Sequence, residues 1–144
     1  MSVRKKAFVY LIRSRSAGSE ILVFDSHDEA GFEVVKGGSK PGETLENTAR
    51  RELREEAGIV GARFLSRLGS TLWNGELQGF CLMEAPAGVP DCFEHVVGGE
   101  GIDRGIRYSF SWLPIDSSLG KRLVQGCGAF VDELIARTAM GRNE

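Results

Sequence analysis

Cysteine is scarce in this chain, and the little there is forms no pattern. Cys81, Cys92 and Cys127 are odd in number and far apart. That excludes a disulfide framework and a cysteine-based metal site, and leaves free thiols suited to a reducing compartment. An excess of one charge is also missing. Eighteen Lys and Arg stand against twenty Asp and Glu, for a formal net charge of −2. General nucleic-acid binding draws on a basic surplus, so that class is set aside. Long apolar runs are absent as well. Phe8-Val9-Tyr10-Leu11-Ile12 follows Lys5-Lys6 but is cut short by Arg13. It is too brief for a signal peptide or a membrane span, and no cleavage-site pattern follows. The expected location is the cytoplasm, with no membrane partner.

What is present suits one folded unit. At 144 residues, 42% hydrophobic and 26% charged, the chain fits a single domain over 1–144 and not two, with no internal repeat, low-complexity segment or linker. Strands are predicted over 6–13, 20–25 and 32–36, then near 60–68, 77–84, 92–97 and 105–113. Gly37, Gly38, Pro41 and Gly42 make a loop. Thr44 is the predicted N-cap of a helix over 45–57, and Gly58 sits where a terminal glycine ends it. Gly98 to Arg104 has the composition of a hairpin tip. Leu123, Cys127, Phe130, Val131, Leu134 and Ile135 recur near helical period and predict a closing helix over 123–140, weakened early by Gly126 and Gly128. Many strands with one mid-chain and one terminal helix make an α+β pattern.

The mid-chain helix carries the chemistry. Leu45, Ala49, Leu53 and Ala57 form its apolar stripe, and Glu52, Glu55 and Glu56 stand at i, i+3 and i+4. At roughly 100° per residue, those carboxylates share an arc of about 100°. Carboxylates turned partly toward the protein body repel one another and lose solvation unless a cation compensates. Hard divalent ions such as Mg²⁺ are the usual answer to clustered oxygen ligands. Glu46, Arg50 and Arg54 fall on the outer face and read as solvated charges.

The spacing extends further. Gly37 is followed after five residues by Glu43, and after seven more by Arg51-Glu52-Leu53. Glu55-Glu56 and Gly58-Ile59 then complete it. This resembles the Nudix box at every defined position. The resemblance implies a Nudix-type α/β/α sandwich, with a mixed sheet between the box helix and a C-terminal helix. It implies a Mg²⁺-dependent (or Mn²⁺-dependent) pyrophosphohydrolase acting on a nucleoside diphosphate linked to another group: a nucleoside triphosphate, dinucleoside polyphosphate or nucleotide sugar. Gly37, through its carbonyl, Glu52, Glu55 and Glu56 match the family's metal ligands. Arg51 matches a residue that orients a box glutamate, and Glu43 one that ties the loop to the helix, through Arg51. Catalytic roles accordingly fall to Glu52, Arg51 and Glu55. A homodimer is compatible with the family. Two other readings are a nucleotide-sensing module without turnover, which degenerate glutamates would mark, and a hydrolase of non-nucleotide diphosphates.

Around the box the reading is less specific. Many family members carry proline where this chain has Val35, while Lys36-Gly37 is kept. The general base is expected to be Glu52, on the rigid helix, ahead of Glu100 on the hairpin tip; Glu94 and Asp103 are further carboxylates downstream. His95 reads as structural. Among Trp73, Phe80, Phe93 and Trp112, Trp73 beside Asn74-Gly75 is the preferred base-stacking residue, and Trp112 is expected under the C-terminal helix. No marker of a substrate subclass follows the box.

Overall fold

The computed structural model describes residues 3–142, and side chains through residue 139; residues 1–2 and 143–144 of the expected domain lie outside that range. Its centre is β1 (Arg4–Arg15), a strand whose alternating side chains feed two cores. Ala7, Val9 and Leu11 enter one, Phe8 and Tyr10 the other. Strands β2 (Gly18–Asp25) and β6 (Glu76–Glu84) repeat that division. Leu22, Phe24, Cys81 and Met83 join the first core, and Ile21, Val23, Phe80 and Leu82 the second. Apolar residues on both faces of three strands require cover on both sides, and helices supply it.

Three strands share the edges of β1. Along one edge β6 runs parallel to it from Arg4↔Glu76 to Ile12↔Glu84. Along the other, β4 (Val35–Gly38) pairs with its first half, and β2 with its second half through Ile12↔Ile21 to Arg15↔Gly18. The stretch predicted as one strand over 32–36 is therefore two. Phe32–Glu33 (β3) pairs with β2, and after Val34 the chain moves to β1 as β4. Strands β5 (Arg63–Trp73), β7 (Phe93–Val96) and β8 (Arg107–Pro114) complete a mixed sheet in the order β5-β6-β1-β2-β8-β7.

The first core lies under α1 (Leu45–Glu52), which places Ala49 against the sheet and passes into a wider π turn, Leu53–Ala57, that buries Leu53 and Ala57. Thr44 caps α1 as predicted: its hydroxyl accepts from Asn47 N at 3.1 Å. Gly58 ends the turn at φ 68, a left-handed conformation natural to glycine. Its N–H reaches the carbonyls of both Arg54 and Leu53, the latter five residues back.

The second core is covered by α2 (Leu119–Arg122) and α3 (Val131–Arg142). The closing helix starts eight residues later than its apolar spacing predicts. Leu123 is extended and bridges to Phe32, Val124 N donates to Phe32 O at 2.8 Å, and Gly126 turns at φ 93. Leu123, Val124 and Cys127 are buried all the same. Their periodicity reports burial, which a packed irregular segment satisfies as well as a helix. Tyr10 pins that segment: its hydroxyl donates to Cys127 O at 2.6 Å and accepts from Phe130 N at 3.3 Å. Trp112 is not under the C-terminal helix. It belongs to the first core, with its indole N–H donating to Pro90 O at 3.0 Å and the Arg13 guanidinium 4.2 Å above its ring.

Candidate active site

Where β4 passes the α1 helix, a glycine brings backbone and carboxylate together. A Cβ on Gly37 would lie 2.1 Å from the Glu52 carboxyl carbon, so the Glu52 head rests directly on the Gly37 backbone. One residue earlier, Lys36 N donates to Glu56 Oε1 at 3.3 Å. Facing them is the β7–β8 connection, which is seated on the π turn at two points. Gly98 N donates to the Glu55 carbonyl at 2.8 Å, and Gly99, at φ 81, leaves room for the Glu55 carboxylate where a Cβ would be 2.0 Å from Oε1. The result is a cleft of about 410 Å³. Its floor is Glu52, Glu55 and Glu56, one wall is Lys6, Lys36, Gly37, Gly38 and Lys40, and the other runs from Val97 to Asp103.

Arg51 is the hub of this floor. Its Nε and Nη2 donate to the two oxygens of Glu43, each at 2.9 Å. Nη2 also donates to Gly38 O at 2.7 Å, and Nη1 to Glu52 Oε1 at 2.7 Å and Glu55 Oε2 at 3.0 Å. All five guanidinium N–H groups are thereby used. Glu43 is held further by Lys40 N at 3.0 Å and the Thr48 hydroxyl at 2.8 Å. Hydrogen bonding from Arg51 lowers the Glu43 pKa to about 2 and raises that of Arg51 itself. The expected tie between loop and helix is present, and it reaches two of the box glutamates as well.

Glu52 and Glu56 are 8% and 5% exposed, the only buried acidic side chains among the described residues. Burial raises the Glu52 pKa, against the pull of Arg51. Glu56 is pushed up to about 9, first by burial and then by the charge of Glu52, with Asp103 adding to the repulsion. Arg51 neutralises part of this floor through Glu52 and Glu55, and among the described residues no cation pairs with Glu56. The floor's donors are hard oxygens in the number and type a divalent ion takes, so they fit one. No three acidic, histidine or cysteine groups among the described residues already converge at ligating distance. Arg51 stands between Glu52 and Glu55 instead.

The remaining candidates are spread out. Glu100 and Asp103 line the cleft. Glu94 does not: it pairs with Arg107 at 3.5 Å on the exposed β7–β8 ladder. His95 packs on Gly58, where a Cβ would meet its ring at 2.9 Å, and does not line the cleft. Phe80 and Phe93 stack in the cores on Phe8 and Phe110. Trp73, 64% exposed, closes the β5–β6 hairpin and does not line the cleft. Sequence reasoning missed Lys6, Lys40 and the fully exposed Ile102, all of which line it. Only sheet register brings Lys6 beside Gly38, and no local pattern announces that.

Comparison with known proteins bears on the fold and the family. The family profile described as NUDIX domain matches residues 3–96, from the start of β1 to the end of β7. A C. elegans Ap4A hydrolase in a binary complex superposes with a TM-score of 0.69 at 17% identity, over 94% of this chain and 98% of that one. A Nudix hydrolase from M. smegmatis, RenU, gives 0.67 at 17% identity over 94% and 86%. The E. coli ORF135 protein gives 0.62 at 20% identity over 95% and 94%. At such identities the likeness to each structure is one of fold. No curated protein matches the chain in sequence. Because the family profile covers well over half of the chain and includes the whole carboxylate helix, the chain belongs to the NUDIX family and is a hydrolase of phosphoanhydride bonds.

Proposed function

We propose that this chain, acting as one catalytic domain in the cytoplasm, hydrolyses a nucleoside diphosphate linked to a further group, with Mg²⁺ as its metal and Mn²⁺ as a substitute. The observation that carries the reading is the pair of buried carboxylates, Glu52 and Glu56, beside Gly37 in an open cleft. With its pKa pushed up to about 9, Glu56 is costly to ionise without positive charge beside it, and a divalent ion would supply that charge. Glu52, Glu55, Glu56 and the Gly37 carbonyl would hold the ion. When bound, it neutralises phosphate oxygens and acidifies water.

The chain's own residues do the rest. Arg51 sets the positions of Glu52 and Glu55, and Glu43 sets Arg51. Glu52 is the preferred general base, since its helix is rigid and Arg51 fixes its head. Glu100 is the alternative, exposed on the opposite wall. The named C. elegans neighbour acts on Ap4A, which favours a small nucleotide-like substrate here. The intact glutamates favour turnover over mere sensing.

A panel of nucleotides, dinucleoside polyphosphates and nucleotide sugars tests the activity, assayed with Mg²⁺ or Mn²⁺ by phosphate detection, with inorganic pyrophosphatase added for the triphosphates and a phosphomonoesterase for the others to convert the products to phosphate. Metal-dependent release that is lost in Glu56→Gln is expected; release that persists without divalent metal overturns the reading. For the base, pH–rate profiles of Glu52→Gln and Glu100→Gln at saturating Mg²⁺ decide. Loss of the acidic limb in Glu100→Gln alone would reverse the preference for Glu52.

A further inference from the structure

The cleft is electrically lopsided. Four cations line it: Lys6, Lys36, Lys40 and Arg51. Arg51 spends every donor on Glu43, Glu52, Glu55 and Gly38 O. Lys36 is engaged by Glu33, with Nζ 3.0 Å from Oε1. Lys6 and Lys40 have no carboxylate within salt-bridge distance among the described residues, and they stand on the same wall. The β1–β4 register pairs Lys6 with Gly38, and Lys40 lies two residues beyond that glycine. Ser39 N donates to Lys5 O at 2.9 Å, which fastens the loop bearing Lys40 to the strand bearing Lys6. The Phe8 ring, covered on one face by Phe80, lies 5.9 Å from Lys6 Nζ and 5.7 Å from Lys36 Nζ. The opposite wall offers Glu100, Asp103 and the bare side chain of Ile102.

Lys6 shares a sheet face with Phe8, and Gly37 turns toward Glu52 on the other face; between them lies the edge of β4, bare of side chains at Gly37-Gly38. A phosphate chain lying across the glycines would have one end over the carboxylate floor and the other among unpaired ammonium groups. Neighbouring strands lie about 5 Å apart, on the scale of one or two phosphate units. We propose that Lys6 and Lys40 form an anion subsite that selects substrates with three or more linked phosphates over diphosphates joined to an uncharged group. The inference rests on the proposed phosphoanhydride chemistry of the same cleft. It adds a direction: the surplus phosphates lie toward β1, and the uncharged portion lies under Glu100 and Ile102.

The test separates the two ideas by measuring binding apart from turnover. Calorimetric titration with inorganic tripolyphosphate and with pyrophosphate, in Ca²⁺, gives a preference ratio for the wild type. Expected is preference for tripolyphosphate, collapsing by roughly tenfold in Lys6→Gln/Lys40→Gln, the worth of a charge-assisted hydrogen bond. Lys6→Arg/Lys40→Arg should restore it, and added salt should weaken it. In turnover, the ratio of kcat/KM for ATP or diadenosine tetraphosphate to that for ADP-ribose should fall in the double Gln variant, chiefly through KM. ATP and the dinucleotide, compared with each other, tell whether the far end of the chain must be free. A wild type that binds both anions equally, or a preference that survives Lys6→Gln/Lys40→Gln, overturns the subsite. If the preference is present and collapses but no substrate is turned over, the subsite stands and the hydrolytic reading of the cleft fails.

Discussion

At the residue scale, the site is a balance between one guanidinium and the three carboxylates it binds. Arg51 is only 12% exposed and Glu43 15%, so their pairing is largely withdrawn from water. Arg51→Ala would leave Glu43, Glu52 and Glu55 without their shared partner and should cost about 3 kcal/mol, in the range for breaking a buried pair. Arg51→Lys should recover little, since an ammonium cannot present five fixed donors. Chemical denaturation of the three proteins checks both, and an Arg51→Ala protein of wild-type stability would show the network to be idle. Sign matters for the carboxylates. Glu43 ionises at about 2 folded against 4.5 unfolded, so its contribution is present above pH 4.5 and is lost as pH falls toward 2. Glu56 behaves oppositely. With a folded value of about 9, the metal-free protein keeps a proton that the unfolded chain has shed, and stability falls as pH rises from 4.5 to 9. Glu56→Gln should flatten that slope in EDTA and raise the melting temperature at pH 8. In Mg²⁺ the order should reverse, because the variant loses a ligand and with it roughly tenfold or more in metal affinity.

At the element scale, the contacts between segments are made by glycines as much as by side chains. Gly37→Ala would drive a methyl into the Glu52 carboxyl, 2.1 Å away. A ligand displaced by about 1 Å is enough to lower turnover on the order of a hundredfold. Gly99→Ala combines the same kind of clash, at Glu55, with a φ of 81 that costs a non-glycine residue about 1–2 kcal/mol. Both variants should remain folded by circular dichroism while losing activity; full activity in either would mean that its glutamate is not needed in place. The sequence made much of α1 legible because its determinants are local: the Thr44 cap, the Leu45-Ala49-Leu53-Ala57 stripe and the Gly58 stop. The π turn was not legible. It changes which carbonyl an N–H meets and leaves the apolar spacing as it was. The closing helix was over-read for a related reason, since Leu123 and Cys127 are buried by an extended segment that tertiary contacts with Phe32 and Tyr10 hold. The box glutamates could be found from spacing, whereas Lys6 and Lys40 meet only when β1 and β4 pair.

At the scale of the whole molecule, one sheet separates a catalytic face from a structural one. The first core carries α1 and the cleft; the second carries α2 and α3 and lines no part of it. Tyr10→Phe tests that division. It strips the hydroxyl from Cys127 O and Phe130 N in the second core and should cost about 1–3 kcal/mol, while kcat at low temperature stays at its wild-type value. A fall in kcat beyond the unfolded fraction would show that the two faces are coupled through the sheet.

The parallel pairing of β1 with β6 also bears on how the chain is made. Arg4 meets Glu76 and Ile12 meets Glu84, partners separated by 72 residues of sequence. At translation rates of about 5–20 residues per second, β6 follows β1 by roughly 4–14 s. During that interval the apolar strand β1 has β2 and β4 available, but one of its edges is open. An open apolar edge is a template for pairing with another chain, so the nascent protein passes through a period of exposure to aggregation that the finished sheet does not retain.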